Sequence, residues 1–424
     1  MSNQKTIAII GGTIWGNRGA ESMLVTTIGK LRETFPDAKF NAFSYYPSKD
    51  RALIKNKNIK IVSSKPLSLP TRHFFVALFG CIFLKIGLKI PKGKFFEIAH
   101  ALHESDVLLE IGGITFSDGR EKFLPFNVLT IWPAMLLGVP VVKLAQALGP
   151  FNNRLNRFLA KIFLPRCKYI FARGESTTKF LSAIGITEKV DTVSDIAFLY
   201  KPLYSLSVEN EPQAFDLLSS IQSEKESGRK IIVCSPSILV DKQSQRAGQD
   251  YPGFFFELIK SDKKGEFSFI FIPNASREGS GQSHNNDLVL IEKLKTLFKE
   301  RIVSEKVIPH VFWVDFDINT EWIRNIINEA DVLVTSRFHA MISGLALKIP
   351  SIVIGWGHKY TETMVYFDME KYCINFRKIN CDLRSLIQKA LSEKQDIAEK
   401  YELYLPAVLE KANKQFEYLS RELS

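Results

Sequence analysis

Short apolar runs rich in β-forming residues alternate with helix-periodic segments along most of the chain, and this alternation constrains the fold more than any other feature. The first run, Thr6–Ile10, is followed by apolar residues at helical spacing between Met23 and Phe35. The pattern predicts an α/β protein with parallel sheets. Strands are expected at Thr6–Ile10, Asp106–Ile111, Pro140–Leu144, Tyr169–Ala172, Lys189–Val193, Ile231–Cys234, Phe267–Ile272, Val311–Val314, Asp331–Thr335 and Ser351–Ile354.

The alternation breaks in a polar stretch rich in serine and glutamate near the middle of the chain. This stretch, residues 201–230, is interpreted as a linker, although Phe215–Ile221 within it could form a helix. The 424 residues then divide into an N-terminal α/β domain at 1–200, a C-terminal α/β domain at 231–378 and C-terminal helices at 379–424. We expect two Rossmann-like domains whose parallel sheets face a cleft.

The cysteines and the N-terminus both favour a cytoplasmic protein. The five cysteines occur singly without CxxC spacing, so the sequence indicates neither a zinc site nor a disulfide framework. A reducing compartment fits this usage best. The start MSNQKTIAIIGG has a short apolar run that leads into a glycine turn, which is typical of a first strand and not of a signal peptide.

The formal net charge of +11 is concentrated in one segment. Between Arg51 and Phe96 there are ten Lys or Arg residues and no Asp or Glu. The apolar run Phe74–Leu84 in this segment is too short to span a bilayer. Residues 72–94 either form a buried helix or lid with a basic rim, or lie on an anionic membrane surface at the inner face of the cytoplasmic membrane. Nucleic acid is not an expected partner, because basic and aromatic residues do not interleave here.

Polar and glycine residues follow several of the predicted strands. In open parallel sheets, ligands bind beyond the carboxyl ends of the strands, so these residues are candidates for a binding rim. Turns also favour Gly, Asn and Asp, which makes each position weak by itself. The candidates are Trp15, Asn17 and Glu21 after the first strand, and then Gly113, Asp118, Gln146, Arg173 and Asp195.

The stretch TSRFHAM, residues 335–341, places an arginine and a histidine where a strand ends and a helix begins. Ser336 is expected to cap the helix, with Arg337 and His339 in its first turn. The helix dipole and a guanidinium would hold an anion there, and His339 could act as a general acid or base. His358 and Lys359 follow the next strand at the same edge. In the alternative, Arg337 caps a neighbouring carbonyl and His339 packs in the turn.

This stretch and several other motifs of the sequence resemble the polysaccharide pyruvyl transferases, most closely those that act on exopolysaccharides such as colanic acid. The R-x-H-A block with the downstream P-x-x-x-I-x-x-x-x-K is the specific part of the resemblance. The motifs are GNRGAES (16–22), LLEIGG (108–113), QALGPF (146–151), ARGESTTKFLSAIG (172–185) and SRFHAMISGLALKIPSIVIGWGHK (336–359).

The resemblance implies a fold like that of GT-B glycosyltransferases and a defined reaction. Phosphoenolpyruvate would be the donor substrate, with no cofactor and no metal. The acceptor would be a sugar with two suitable hydroxyls, in a polymer or on a lipid, and the product a pyruvate ketal. Arg337 and His339 would serve the donor, with His339 in acid/base work.

The remaining candidates are divided between the two substrates. The donor is expected to contact Lys359, Arg173, His358 and Ser237 in addition to Arg337. In the first domain, Trp15 could stack on the acceptor or be a packed turn aromatic. The other acceptor residues are predicted as Asn17, Glu21, Gly113, Asp118 and Gln146, and Glu21, Asp118 and Glu175 are alternative acids.

One departure from the family pattern concerns the first strand of the second domain. Many members carry a basic residue just after it, whereas here the turn reads Cys234-Ser-Pro-Ser237. Either Ser235 and Ser237 hold the anion with backbone N–H groups, or the cation comes from elsewhere. A GT-B glycosyltransferase that uses a nucleotide sugar, and a non-catalytic sugar-binding protein, remain alternatives. The second alternative predicts that His339→Ala leaves function intact.

Overall fold

The computed structural model describes residues 4–203, 211–279, 284–302, 310–355, 358–378 and 382–424. These residues form two compact units. The first comprises the described parts of Met1–Trp15, Ala20–Ser207 and Leu409–Ser424, and the second those of Gly16–Gly19 and Val208–Val408. The second unit therefore includes four residues from near the start of the chain.

The first unit contains a seven-stranded parallel sheet in the order β3-β2-β1-β4-β5-β6-β7. Its strands are β1 Thr6–Ile10, β2 Lys39–Ser44, β3 Ile59–Ser63, β4 Val107–Glu110, β5 Val141–Gln146, β6 Tyr169–Arg173 and β7 Val190–Val193. The helices along this part of the chain are α1 Arg18–Thr34, α2 Pro47–Leu53, α3 Phe74–Lys85, α4 Glu97–His103, α5 Leu124–Leu129, α6 Trp132–Leu136, α7 Arg154–Phe163 and α8 Glu175–Ala183.

The second unit contains a six-stranded parallel sheet in the order β10-β9-β8-β11-β12-β13. Its strands are β8 Lys230–Ser235, β9 Phe267–Phe271, β10 His310–Trp313, β11 Val332–Thr335, β12 Ser351–Gly355 and β13 Cys373–Asn375. The helices that follow are α9 Glu211–Glu226, α10 Ile238–Arg246, α11 Tyr251–Ser261, α12 Asp287–Ile302, α13 Thr320–Asn328, α14 Phe338–Ala346, α15 His358–Val365, α16 Leu383–Ser392 and α17 Lys394–Leu423.

Both sheets have the doubly wound strand order of Rossmann-type folds, in which the order reverses beside the first strand. Their central strands are buried over almost their whole length, because helices cover both faces. The predicted α/β class with parallel sheets is confirmed. Three strands were not predicted, and polar residues interrupt the apolar run in two of them, KFNAFS in β2 and IKIVS in β3. The third, β13, has only three residues.

The two units begin their sheets with the same contact. The Thr6 N–H donates to the Asp106 carboxylate at 2.8 Å, and the Ile231 N–H donates to the Asp331 carboxylate at 3.0 Å. Each aspartate directly precedes the strand that pairs with the first strand of its unit. These bonds hold the central strand pair in register at its amino end. The carboxyl ends of the same pair, where ligands bind in such sheets, are thereby set side by side.

The structure also differs from the sequence-based domain limits. Within the expected linker 201–230, α9 forms, and its Ala214 and Ile221 are buried in the core of the second unit. Residues 204–210 lie outside the described part of the chain. Helix α17 is shared, since the described residues up to Val408 belong to the second unit and those from Leu409 to the first. The polar stretch does contain the boundary between the units, at 207/208, but most of it is not a linker, because α9 needs only a narrow apolar stripe to pack on the second unit.

A buried histidine connects α3 to the first sheet. His73 is 2% exposed and its Nε2 lies 2.8 Å from the carbonyl oxygen of Ser63. Burial lowers the pKa of His73 to about 4, although the bond to Ser63 acts in the opposite direction. The ring is therefore neutral in the folded protein at neutral pH.

We expect His73 to make the fold sensitive to acid. The unfolded chain takes up a proton near pH 6.5 and the folded chain only near pH 4, so stability falls as the pH drops through this window. The loss is on the order of 3 kcal/mol. We expect the free energy of unfolding, measured with urea at several pH values between 7 and 4, to fall less steeply with decreasing pH for His73→Gln, because glutamine keeps a donor but does not titrate. The same pH dependence for both proteins would contradict this assignment.

Candidate active site

The turn after β11 places Arg337 and His339 at the start of α14. The Thr335 hydroxyl accepts a bond of 2.9 Å from the Arg337 N–H, and Arg337 is the extended residue just before the helix. Ser336 is not the cap, contrary to expectation, because its hydroxyl accepts a bond of 2.7 Å from the Tyr251 hydroxyl. Burial raises the pKa of the Tyr251 phenol, so this group stays a donor.

A buried carboxylate, Asp287 at the start of α12, organises the loops around this turn. It is 0% exposed and accepts N–H bonds from Ile238, Asn274 and Ala275 at 3.1, 3.1 and 2.9 Å. It also pairs with the guanidinium of Arg337. Three backbone donors and a cation saturate the carboxylate. Asp287 therefore ties the loops after β8 and β9 to the start of α14.

The contacts of Arg337 orient its guanidinium without using all of its donors. One terminal nitrogen pairs with Asp287, and the other donates to the Asn285 side chain at 2.8 Å. The Nε atom is buried and has no hydrogen-bond partner among the described residues. Buried donors without a partner are rare in proteins and often face a ligand or water. The alternative in which Arg337 caps a carbonyl does not match these side-chain contacts.

Lys359 lies on the same edge of the sheet, in the first turn of α15. Its ammonium is 4.5 Å from the ring centre of Phe338 and 5.2 Å from that of Tyr360. The Tyr360 hydroxyl donates to the Ser336 carbonyl at 3.1 Å, which joins α15 to the turn. The structure thus brings Lys359 against the residue between Arg337 and His339. The side chain of His358 lies outside the described part of the chain.

The GNRG turn, residues 16–19, belongs to the second unit, although the sequence placed it with the acceptor domain. The Arg18 guanidinium pairs with Asp317 at 2.9 Å, and both side chains are buried. The Arg18 N–H donates to the Asn274 carbonyl at 3.0 Å. Asn17 accepts a bond of 3.1 Å from the Gly19 N–H and thereby caps α1. Sequence reasoning missed the structural role of Arg18, which anchors this turn.

Gly19 directly contacts the predicted acid/base residue. A Cβ atom at position 19 would lie far inside van der Waals contact of the His339 ring, nearest to its Nδ1. The His339 ring is half-buried and also meets the edge of Phe338, with the ring centres 5.4 Å apart. Glycine is therefore required at position 19 for the imidazole to occupy this place.

Of the two serines predicted to hold the anion after β8, Ser237 already has partners. The Ser237 hydroxyl accepts a bond from Leu239 at 3.3 Å and caps α10, and the Ser237 N–H donates to the Tyr251 hydroxyl at 3.2 Å. The next N–H, of Ile238, is bonded to Asp287. Ser235 is 0% exposed, and its hydroxyl has no hydrogen-bond partner among the described residues. The contacts of Ser237 and Ile238 do not favour the prediction that their N–H groups hold the donor anion, because these donors are used within the protein.

Two predicted residues of the first unit form a structural pair. Arg173 is 8% exposed, pairs with Asp195 at 2.6 Å and donates to the Gly113 carbonyl at 3.0 Å. With these contacts, Arg173 and the Gly113 carbonyl brace the edge of the first sheet, and the donor contact of Arg173 stays a prediction.

Asp118 and Gln146 also have structural contacts. Asp118 accepts bonds from the Asn152 and Asn153 N–H groups at 2.6 and 3.2 Å, and from the Asn156 side chain at 2.7 Å. Gln146 is 0% exposed, and its amide accepts from the Thr115 hydroxyl at 2.7 Å. Gln146 has no exposed surface and is not among the residues that line the cavity at this edge, so the structure does not favour direct contact with the acceptor.

Trp15 and Glu21 are buried as well, at 6% and 4% exposure. The Trp15 ring meets the edge of Tyr46 at 4.8 Å between centres, and the Lys49 ammonium lies 5.5 Å from its centre. The Trp15 N–H donates to Asp50 at 2.8 Å. The structure corresponds to the alternative in which Trp15 is a packed turn aromatic, and the predicted stacking on the acceptor has no exposed ring to use.

A cavity of about 330 Å³ lies at the carboxyl edge of the first sheet, where the strand order reverses. At its base, Glu110 forms an ion pair with Lys143, and both are almost fully buried. Burial, followed by the charge of Glu110, raises the pKa of the Tyr45 phenol, which lines the same cavity. The lining combines polar and aromatic side chains, among them Thr115, Arg120, Phe123, Phe126 and Asn127.

A larger cavity of about 880 Å³ in the second unit runs along α12. It does not include Arg337, His339 or Lys359. Five acidic side chains line it against three basic ones, so it is poorly suited to a ligand with several negative charges. The acidic residues are Asp250, Glu278, Glu292, Glu300 and Asp315, and the basic ones are Arg277, Lys293 and Arg301.

Comparison with known proteins identifies the family of this chain. The sequence pattern of the polysaccharide pyruvyl transferases matches residues 17–358, from the GNRG turn to the start of α15. The chain belongs to the polysaccharide pyruvyl transferase family. The family supports a role in polysaccharide pyruvyl transfer, and the resemblance seen in the motifs is confirmed. No curated protein sequence matches the chain.

Several solved structures share the fold of this pyruvyl transferase family member. UDP-GlcNAc 2-epimerase from Neisseria meningitidis, bound to UDP-GlcNAc, is 14% identical with a TM-score of 0.56 over 99% of this chain and 100% of that one. S. aureus MnaA with UDP is 12% identical, with a TM-score of 0.51 over 94% and 89%. A Medicago truncatula protein complexed with UDP-glucose is 10% identical, with a TM-score of 0.52 over 99% and 98%. At such identities the likeness shows the GT-B-like fold alone.

We expect Gly19→Ala to reduce turnover of the transferase at least about tenfold, because the added methyl group displaces the His339 ring. Gly29→Ala in the same helix is the matched control, since its Cβ would meet only the Leu203 side chain at 3.7 Å. Either change should alter the free energy of unfolding by about 1 kcal/mol or less through helix propensity alone. Kinetics and thermal melts on both variants measure this. Full activity of Gly19→Ala would show that His339 needs no fixed position.

Proposed function

We propose that the protein transfers the enolpyruvyl unit of phosphoenolpyruvate to two hydroxyls of a sugar, forming a pyruvate ketal. The observation that carries the proposal is the turn at Arg337 in a chain of this family. There, an oriented guanidinium with a buried Nε–H precedes a helix start, and Lys359 packs against the same turn. Phosphoenolpyruvate has a phosphate and a carboxylate, which suit guanidinium, ammonium and the positive end of a helix dipole.

The proposed reaction joins C2 of phosphoenolpyruvate to two sugar oxygens and breaks its bond to the phosphate oxygen. C3 gains a proton and becomes a methyl group, and phosphate leaves as hydrogen phosphate. The two sugar hydroxyls supply both protons, one for C3 and one for the leaving phosphate. We assign proton transfer at C3 to His339 and stabilisation of the leaving phosphate to Arg337 and Lys359. Glu21 is a less suitable acid because it is buried, and Asp118 because it is bonded to the loop at 152–156.

The donor prediction is tested by thermal stabilisation, since a ligand that binds only the folded state raises the melting temperature. We expect phosphoenolpyruvate to raise the melting temperature of the wild type. The shift should be lost in Arg337→Ala and reduced in Lys359→Ala, each compared with its own ligand-free melt. Arg246→Ala, at an exposed position on α10, is the control. This comparison also corrects for Arg337→Ala leaving Asp287 without its cation.

UDP and inorganic phosphate are measured beside phosphoenolpyruvate. A shift with UDP and none with phosphoenolpyruvate would overturn the donor assignment and favour a nucleotide-sugar glycosyltransferase. A shift with phosphoenolpyruvate that is the same in Arg337→Ala and in Lys359→Ala would support phosphoenolpyruvate as the donor but show that it binds elsewhere than at this turn.

For the acceptor, we infer binding in the 330 Å³ cavity of the first unit instead of at Trp15 or Gln146. Its volume is at the lower end of the range for small-molecule sites. Aromatic faces pack on the apolar side of a sugar ring, and hydroxyl, amide and carboxylate groups bond its hydroxyls. Phe123, Tyr45, Asn127 and Glu110 supply these groups here. Gln146 would then be a positioning residue that acts through Thr115.

We expect Phe123→Ala to raise the KM for the acceptor about tenfold and leave the KM for phosphoenolpyruvate unchanged, because only the acceptor would lose contact area. Phe158→Ala, at a 61% exposed position on α7, is the control. Steady-state kinetics with each substrate varied in turn separate the two effects. An equal rise in both KM values, or no change in either, would argue against acceptor binding in this cavity.

A further inference from the structure

Helix α3 has one face in the core and another in solvent, and both faces are apolar. Val76, Ala77, Gly80 and Cys81 are buried. Position 80 faces Leu137 and Ala99, since a Cβ there would lie 3.1 and 3.5 Å from their side chains. The helix is therefore fixed to the first unit by α4 and the segment after α6.

The opposite face of α3 carries an exposed apolar stripe. Phe75, Phe79, Ile82 and Ile86 follow one another at helical spacing and are 48%, 47%, 47% and 63% exposed. Leu67 before the helix and Leu88 and Phe95 after it are 85%, 54% and 54% exposed. We call these seven residues the apolar stripe. They are more than half of the thirteen large hydrophobic side chains that are exposed in the described chain. Such a concentration marks an interaction surface.

Basic residues lie in the same segment. Lys65, Lys85, Lys89, Lys92 and Lys94 are all exposed, and no acidic residue occurs between Arg51 and Phe96. None of these five lysines forms an ion pair with another described residue. The Arg72 guanidinium donates to the Lys94 carbonyl, which holds the loop after α3 next to the turn before it. Apolar groups and lysines therefore belong to one connected surface.

We propose that this surface binds an anionic membrane, with the apolar stripe in the acyl region and the lysines at the phosphate groups. Each lysine near such a surface adds electrostatic attraction to the anionic lipids, and exposed apolar area adds to the binding. A second copy of the chain is a poorer partner, because a two-fold interface would bring the same lysines together. Among the described residues, no helix is long and apolar enough to cross a bilayer. The contact is therefore with the membrane surface.

The surface lies next to the proposed acceptor cavity, but the proposal of membrane binding does not depend on that cavity. Pro66 lines that cavity, and the next residue, Leu67, is the most exposed member of the apolar stripe. A sugar attached to a membrane lipid would meet the cavity beside the bound face. Membrane binding itself is measured without any substrate, so its failure is distinguishable from failure of the proposed reaction.

The test is co-sedimentation with vesicles of phosphatidylcholine alone and of phosphatidylcholine mixed with phosphatidylglycerol. The wild type should sediment with the anionic vesicles, and less so at high salt. The triple variant Phe75→Ser, Phe79→Ser, Ile82→Ser should bind at least about tenfold more weakly. So should Lys85→Glu, Lys89→Glu, Lys92→Glu. The control Leu155→Ser, Phe158→Ser removes two exposed apolar groups on α7 and should bind like the wild type.

Three outcomes would overturn the proposal. The first is a wild type that stays in the supernatant with both kinds of vesicle. The second is an apolar-stripe variant that sediments like the wild type while its melting temperature shows that it is folded. The third is a wild type that is a dimer in solution while the variant Phe75→Ser, Phe79→Ser, Ile82→Ser is a monomer. That result would assign the apolar stripe to contact between two copies. Light scattering on the same samples measures the third outcome.

Discussion

The arrangement of the second unit depends on one buried carboxylate. Asp287 accepts three backbone N–H groups from the loops after β8 and β9 and pairs with Arg337. Three segments distant in sequence meet at this single side chain. Removing one partner of a buried pair costs about 3–5 kcal/mol, so the contact holds the loops as well as the arginine. The buried negative charge of Asp287 holds the Arg337 guanidinium in position, and the Arg337 Nε–H has no partner among the described residues.

The second dependence is steric. The GNRG turn lies near the start of the chain but belongs to the second unit, where Arg18 is bonded to Asp317 and to the carbonyl of Asn274. That anchoring brings Gly19 against the His339 ring. The turn thus contributes space more than chemistry, since only a residue without a side chain fits. The match to the family begins at the same turn.

In the first unit, several polar residues expected to contact one of the substrates hold the edge of the sheet together. Gln146 bonds Thr115, Arg173 bonds Asp195 and the Gly113 carbonyl, and Asp118 bonds the loop before α7. Polar groups at strand ends must have partners when they are buried. The cavity at this edge has an aromatic and polar lining that comes largely from residues 114–130, a stretch in which sequence reasoning singled out only Asp118.

The sequence by itself determined the α/β class, most strands, the family and the place of Arg337 and His339 where a strand ends and a helix begins, because periodicity and a spaced motif are local properties. Only the tertiary structure decided which polar residues are exposed, that the GNRG turn joins the second unit, and that Asp287 orients Arg337. Burial and pairing depend on contacts between residues far apart in the chain. A spacing pattern cannot distinguish a glutamine that faces a ligand from one that is bonded beneath it, since both follow a strand.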